Sequence, residues 1–198
     1  HEFAHEWFAN KVTNKDWAHL WIQEGIATYA EALIHYDLGG QPAYDQIINA
    51  HKRSIRGKKP MVGGEELSED ETYAGSDIYT KGSFFMHSLR YVIGDEIFLP
   101  TIKKLATDPK YTYDNFVTTD DVEKLFSQES KQDLKPFFDF YTRTTEVFNI
   151  SIQETGYQKY FIKVNNLPMP LPFDITTSDG TKRTILDKSG ITVNSSVV

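Results

Sequence analysis

His1 and His5 stand four positions apart with Glu2 between them, an H-E-x-x-H pattern. On a helix that spacing brings both imidazoles to one face, where they can close on the same metal ion. Glu2 sits beside that face, placed to take the proton from a water that the cation has made acidic. Glu24 follows His5 after 18 intervening residues, room enough for a second helix to return across the first and bring a third donor. Two neutral imidazoles, one carboxylate and one open position are the equipment of a catalytic rather than a structural zinc. The chain has no cysteine, so thiolate sites and a disulfide framework are excluded and His and carboxylate remain as strong ligands. The pentapeptide alone recurs by chance, and its surroundings must carry the rest of the reading.

The elements that would position these residues are helical. The first runs from His1 to about Lys11, and Asn14-Lys15-Asp16 supplies a turn with Asp16 as N-cap. The second reaches about Tyr36 with an apolar repeat of three and four, which places Glu24 and Glu31 two turns apart on one face. Glu31 can there accept the second ring N–H of a ligating histidine, or it is a solvated helix glutamate. Gly39-Gly40 ends this helix and Gln41 to about Ile55 forms another. Met61 to Ser76 is polar and acidic, with Glu65, Glu66, Glu69, Asp70 and Glu71, and reads as a loop with a solvated face.

A further helix is led in by Asp77-Ile78-Tyr79-Thr80-Lys81-Gly82, with Lys81 and Arg90 facing solvent or pairing locally. Gly94-Asp95-Glu96 opens the next, with acids where they complement the helix dipole. Thr118-Thr119-Asp120-Asp121 is a cap cluster, and Phe137, Phe138, Phe140 and Tyr141 supply core. After Thr145 the texture changes. Phe148–Ile152, Tyr160–Val164, Pro172–Thr176 and Thr184–Leu186 alternate apolar with polar residues, and Asp179-Gly180 is a hairpin turn, so the tail reads as antiparallel strands.

The run Glu6-Trp7-Phe8-Ala9-Asn10-Lys11-Val12-Thr13, the tryptophans Trp17 and Trp21, and Trp21-Ile22-Gln23-Glu24-Gly25-Ile26-Ala27-Thr28-Tyr29-Ala30-Glu31 complete a pattern. It resembles the aminopeptidase N family of zinc metallopeptidases, of the gluzincin type, with Ala9 where that family usually has glycine. Tyr79-Thr80-Lys81-Gly82 resembles the family's Y-x-K-G segment, and Pro136 to Thr145 the end of its helical lobe. The resemblance implies that His1, His5 and Glu24 hold one Zn2+, that Glu2 is the general base, and that the Tyr79 hydroxyl stabilises the oxyanion of the tetrahedral intermediate. Tyr73 is a weaker candidate for lining the same cleft. It also implies a mainly α fold, a thermolysin-like helical catalytic lobe over 1–145, followed by a small antiparallel β-sandwich module over 146–198.

The 39% hydrophobic and 14% aromatic content excludes a disordered chain. A formal charge of −7, with no basic stripe, argues against nucleic acid or an anionic membrane surface as partner. No run of 18 apolar residues predicts a transmembrane helix. His19, His35, His51 and His87 lack a second ligand at four-residue spacing and read as surface or packing residues.

The expected function is zinc-dependent hydrolysis of peptide substrates, with removal of N-terminal residues implied by the resemblance. The family's G-x-M-E-N segment, which binds the substrate α-amine, lies upstream of the zinc motif, and the chain is expected to lack that N-terminal part of its parent. With His1 first in the chain, a frayed and weakly metal-binding site is expected of this piece alone. A non-catalytic scaffold or inactive fragment of the same fold, a zinc endopeptidase and an epoxide hydrolase remain as alternatives. The compartment, cytoplasmic or exported, stays open.

Overall fold

The fold is seen in a computed structural model that describes residues 1–64, 67–74 and 77–197. Glu65, Glu66 and Ser76, part of the expected acidic loop, lie outside the described residues. Residues His1–Thr145 form one compact unit and Glu146–Val198 another.

In the first unit the opening segment departs from the expected helix. Backbone N–H groups of Ala4, His5 and Glu6 bond three residues back, to His1, Glu2 and Phe3, which makes a tight 3-10 turn over Ala4–Glu6. Asn10 N–H then reaches back to the His5 carbonyl at 3.0 Å and Val12 N–H to Trp7 at 2.8 Å. These five-residue spans open the coil and stop it. The chain turns at once into β1 (Thr13–Asn14), which pairs in parallel with β2 (Phe116–Val117), a contact that local periodicity does not encode. Asp16 does cap, but it caps a second 3-10 turn over Trp17–His19 by accepting from Ala18 N–H at 3.0 Å.

The long helix α1 (Trp21–Ser54) follows, broken where expected: Gly40 takes φ 68° and ψ −165°, and Pro42 sits just inside the second half. The stretch expected as loop contains a short helix, α2 (Glu69–Tyr73), closed by a capping box between Ser68 and Glu71. Next come α3 (Asp77–Ile93), α4 (Asp95–Thr107) with Gly94 as N-cap, and α5 (Thr119–Ser130), whose Thr118 and Asp121 form a second capping box. A short α6 (Lys135–Phe138) ends the helical unit, running into a wide turn over Asp139–Arg143.

Helices α1 and α3 pack along each other, and aromatic side chains fill the space behind them. Phe85 is fully buried, with its ring edge-on to Trp21 at 5.3 Å and to Phe138 at 4.9 Å. Each such ring removed from water contributes roughly 2–3 kcal/mol, so this cluster fixes the helix pair on which the site is built. Lys81 corrects an expectation. It is buried on α3, and its ammonium donates to the Thr144 carbonyl at 2.9 Å, because the helix turn that aims Tyr79 outward turns Lys81 toward the end of the lobe. Arg90 pairs locally with Asp95 at 2.6 Å.

The second unit is antiparallel. β3 (Ile150–Gly156), β4 (Lys159–Val164) and β7 (Ile191–Asn194) make one sheet in the order β3-β4-β7, and β5 (Leu171–Thr177) pairs with β6 (Gly180–Leu186). Side chains of both sheets, among them Ile162, Val164, Ile175 and Leu186, face one apolar space, a small sandwich. The hairpin between β5 and β6 turns at Ser178-Asp179, with Gly180 at φ 112°. Strand β7, the alternating Ile191-Thr192-Val193-Asn194, is absent from the strands expected of the sequence. No helix among the described residues is long and apolar enough to cross a membrane.

Candidate metal centre

The opening turn keeps the two histidines together even though it is not an α-helix. Their rings meet edge to face with centroids 4.7 Å apart. The first turn of α1 supplies Glu24, which is 8% exposed, and its Oε2 stands 3.1 Å from His1 Nε2 and 3.4 Å from His5 Nε2. One donor atom from each of His1, His5 and Glu24 lies within 4.8 Å of the others; among the described residues this is the cluster of metal-ligating side chains that converges so.

The outer nitrogens decide what the inner ones can do. His5 Nδ1 lies 2.9 Å from the Phe8 carbonyl oxygen. A carbonyl can only accept, so Nδ1 carries the hydrogen and Nε2 is left with a lone pair. His1 Nδ1 is held in the same way by Glu31 Oε1 at 2.9 Å. Both Nε2 atoms and the Glu24 carboxylate thus converge on a common place, a donor set that fits one cation and that, between His1 and Glu24, also makes a 3.1 Å hydrogen bond given by the imidazole. Nitrogen and oxygen donors of this kind suit zinc, and the residues present fit it.

The electrostatics run the same way. Burial raises the Glu24 carboxyl above the ordinary glutamate range, as does the neighbouring charge of Glu2, while His5 and the hydroxyls of Tyr79 and Tyr73 oppose the rise. Tyr79, in the first turn of α3, hydrogen-bonds the Glu24 carboxylate and sets its ring 5.9 Å from that of His1. Burial, and then the Glu24 charge, raise its phenol well above the usual tyrosine range, so it stays a donor at neutral pH. Tyr73, on α2, stacks 6.4 Å from Tyr79, and Trp17 lies 6.1 Å from Tyr73, giving an aromatic wall that runs from the centre to the surface. Glu2 is exposed at the rim, close enough for its charge to be felt by Glu24.

Of the six residues singled out in the sequence, His1, His5 and Glu24 converge, Glu31 and Tyr79 touch them, and Glu2 lies exposed at the rim. Sequence reasoning missed the Phe8 carbonyl, which carries no side-chain signal. It also left the turn that delivers Tyr73 as a loop, although Ser68-x-x-Glu71 marks a capping box. Three remaining histidines pack: His19 Nδ1 meets Thr119 Oγ1 at 2.9 Å, His51 Nδ1 meets Ser83 Oγ at 2.9 Å, and His87 Nδ1 meets Tyr44 Oη at 2.8 Å. His35 is exposed.

Comparison with known proteins adds to this geometry. Residues 1–141 match the Peptidase family M1 domain. Aminopeptidase N of Lactococcus lactis subsp. lactis is 33% identical over 149 residues, 70% of this chain but 17% of that protein. The aminopeptidase A of Legionella pneumophila, solved in complex with aspartic acid, superposes with a TM-score of 0.77 at 23% identity, covering 99% of this chain and 24% of its own. The M1 zinc metallopeptidase of Deinococcus radiodurans gives a TM-score of 0.63 at 24% identity over 74% of this chain and 32% of its own. The chain thus spans between about a sixth and a third of the relatives it matches.

Proposed function

The chain belongs to peptidase family M1, and from that membership we propose that it carries the catalytic centre of a zinc-dependent aminopeptidase. His1 Nε2, His5 Nε2 and the Glu24 carboxylate would hold one zinc ion. When bound, zinc supplies Lewis acidity, bringing a water's pKa toward 7 and polarising a peptide carbonyl. Glu2, at the rim, accepts the proton of the attacking water and returns it to the leaving amine. Tyr79 donates its hydroxyl hydrogen to the oxygen on which charge develops as the carbonyl becomes tetrahedral. Glu31 and the Phe8 carbonyl keep the two imidazoles in the tautomer that leaves Nε2 free, and they fix the ring planes. Residues 1–145 would form the catalytic lobe, followed by a β module over 146–198.

The observation that carries this reading is the convergence of His1, His5 and Glu24 with both outer imidazole nitrogens already engaged. Metal analysis together with paired peptide substrates tests it. One zinc per chain, cleavage of peptides with a free N-terminus and no cleavage of the same peptides N-acetylated are expected. Equal cleavage of the acetylated set would make the enzyme an endopeptidase, and zinc without cleavage of either would make it a scaffold.

A further inference from the structure

Helices α1 and α3 touch backbone to backbone at one place. A Cβ added to Gly82 would stand 2.7 Å from the Gly25 Cα, and one added to Gly25 would stand 2.8 Å from the Ile78 carbonyl oxygen and 2.9 Å from the Gly82 Cα. Real side-chain carbons do not approach that closely. Helix axes ordinarily lie 8–10 Å apart at a crossing, at a distance set by the side chains between them, and here both positions lack one. Glycine is a poor residue for a helix interior, and neither position has a positive φ to require it. The close approach is what requires it.

The place of this contact relates it to the chemistry. Gly25 directly follows Glu24, and Gly82 lies three positions beyond Tyr79, one turn along the same side of α3. Away from the site, the helix pair is held by other means, the His51–Ser83 and Tyr44–His87 hydrogen bonds and the rings around Phe85. Cohesion of the pair is therefore not what the glycines add. They set how near α3 comes to Glu24, and so how far the Tyr79 hydroxyl reaches.

We infer that the Gly25–Gly82 crossing is a positioning device that sets the distance of the Tyr79 hydroxyl from the His1–His5–Glu24 centre. This rests on the catalytic reading of that centre and adds two residues that touch neither metal nor substrate. Alanine at position 82 pushes the helices apart and draws Tyr79 back while leaving the three ligands, all on the α1 side, in place.

The test is a double-mutant cycle in the zinc-loaded full-length protein with Gly82→Ala, Tyr79→Phe and the pair, with zinc content measured for each. Loss of one oxyanion donor costs roughly 10²-fold or more in kcat. Gly82→Ala is expected to lower kcat on about that scale with KM little changed and zinc retained, and to cost almost nothing further once Tyr79 is phenylalanine. Ser83→Ala, which loosens the same helix pair by removing the bond to His51, should leave kcat unchanged.

A slow Tyr79→Phe beside a fully active Gly82→Ala, or losses that multiply in the double variant, overturns the positioning role alone. A fully active Tyr79→Phe removes the catalytic reading beneath it and the inference with it. A crystal structure of the metal-free Gly82→Ala protein reads the same question without turnover: α3 displaced from α1 and Tyr79 drawn off Glu24 supports the inference, and an unmoved Tyr79 refutes it. Where alanine prevents folding, the unaltered protein still decides. Direct contact of the two glycines in its crystal structure, with Tyr79 on Glu24, supports the role, and a layer of water or side chains between them overturns it.

Discussion

Removing the Glu31 side chain isolates the contribution of the group that holds His1. Its Oε1 accepts from His1 Nδ1 at 2.9 Å, so Glu31→Ala leaves the ligand set whole and frees one imidazole to rotate and to change tautomer. Loss of such an outer partner costs 10- to 100-fold in metal affinity in general. Here the Glu31 side chain is 37% exposed and that of His1 24%, so water can replace part of the lost bond and screens the charge. The loss should therefore fall near the lower bound, about 10-fold, or about 1.4 kcal/mol. Glu31→Gln keeps an acceptor and removes only the charge, and it should cost a few-fold at most. The assay is competition for zinc against a chromogenic chelator, run on wild type and both variants at one pH. Wild-type affinity in Glu31→Ala would refute the reasoning, returning Glu31 to the solvated face of α1. Equal losses in the two variants would show that charge, not orientation, is what His1 needs.

Further expectations follow from other parts of the chain. Glu2→Gln should retain about one zinc per chain by metal analysis and lose turnover by 10²-fold or more; substantial remaining activity would remove Glu2 as the base. His87 is held below its ordinary value of 6.5, first by burial and then by the Arg90 charge, with Asp45 opposing. The fold thus prefers the neutral ring, so its contribution to stability is present above about pH 6.5 and is lost as pH falls through the lower folded pKa. Titration of the His87 ring by NMR should show a midpoint below 6.5, and one at or above it would contradict this. Phe85→Ala, at the fully buried meeting of four aromatic neighbours, should cost about 3–5 kcal/mol in urea unfolding.

What could be read from the sequence was what depends on spacing. The return of Glu24 after 18 residues and the two-turn offset to Glu31 survive because they need only that the chain comes back across itself. The Gly40 break and the cap at Thr118 are local backbone chemistry, legible for the same reason. What was not legible depends on partners far along the chain. The opening turn is 3-10 rather than α, and the chain after it, at Thr13-Asn14, is drawn into a pairing with Phe116-Val117, about a hundred residues on. Lys81 is buried because the lobe's end passes beside α3 with a carbonyl to offer. The glycines at 25 and 82 stand in the sequence as letters of two separate motifs, and their contact exists only when the two helices are brought together.

The account stands most directly on where the metal sits. A crystal structure of the full-length protein grown with zinc, with anomalous data collected at the zinc edge, locates it. One ion is expected at about 2.0–2.2 Å from His1 Nε2, His5 Nε2 and a Glu24 oxygen, with His1 Nδ1 still on Glu31 and His5 Nδ1 still on the Phe8 carbonyl. An anomalous peak on other residues, or His1 or His5 binding through Nδ1 after breaking those bonds, would contradict it.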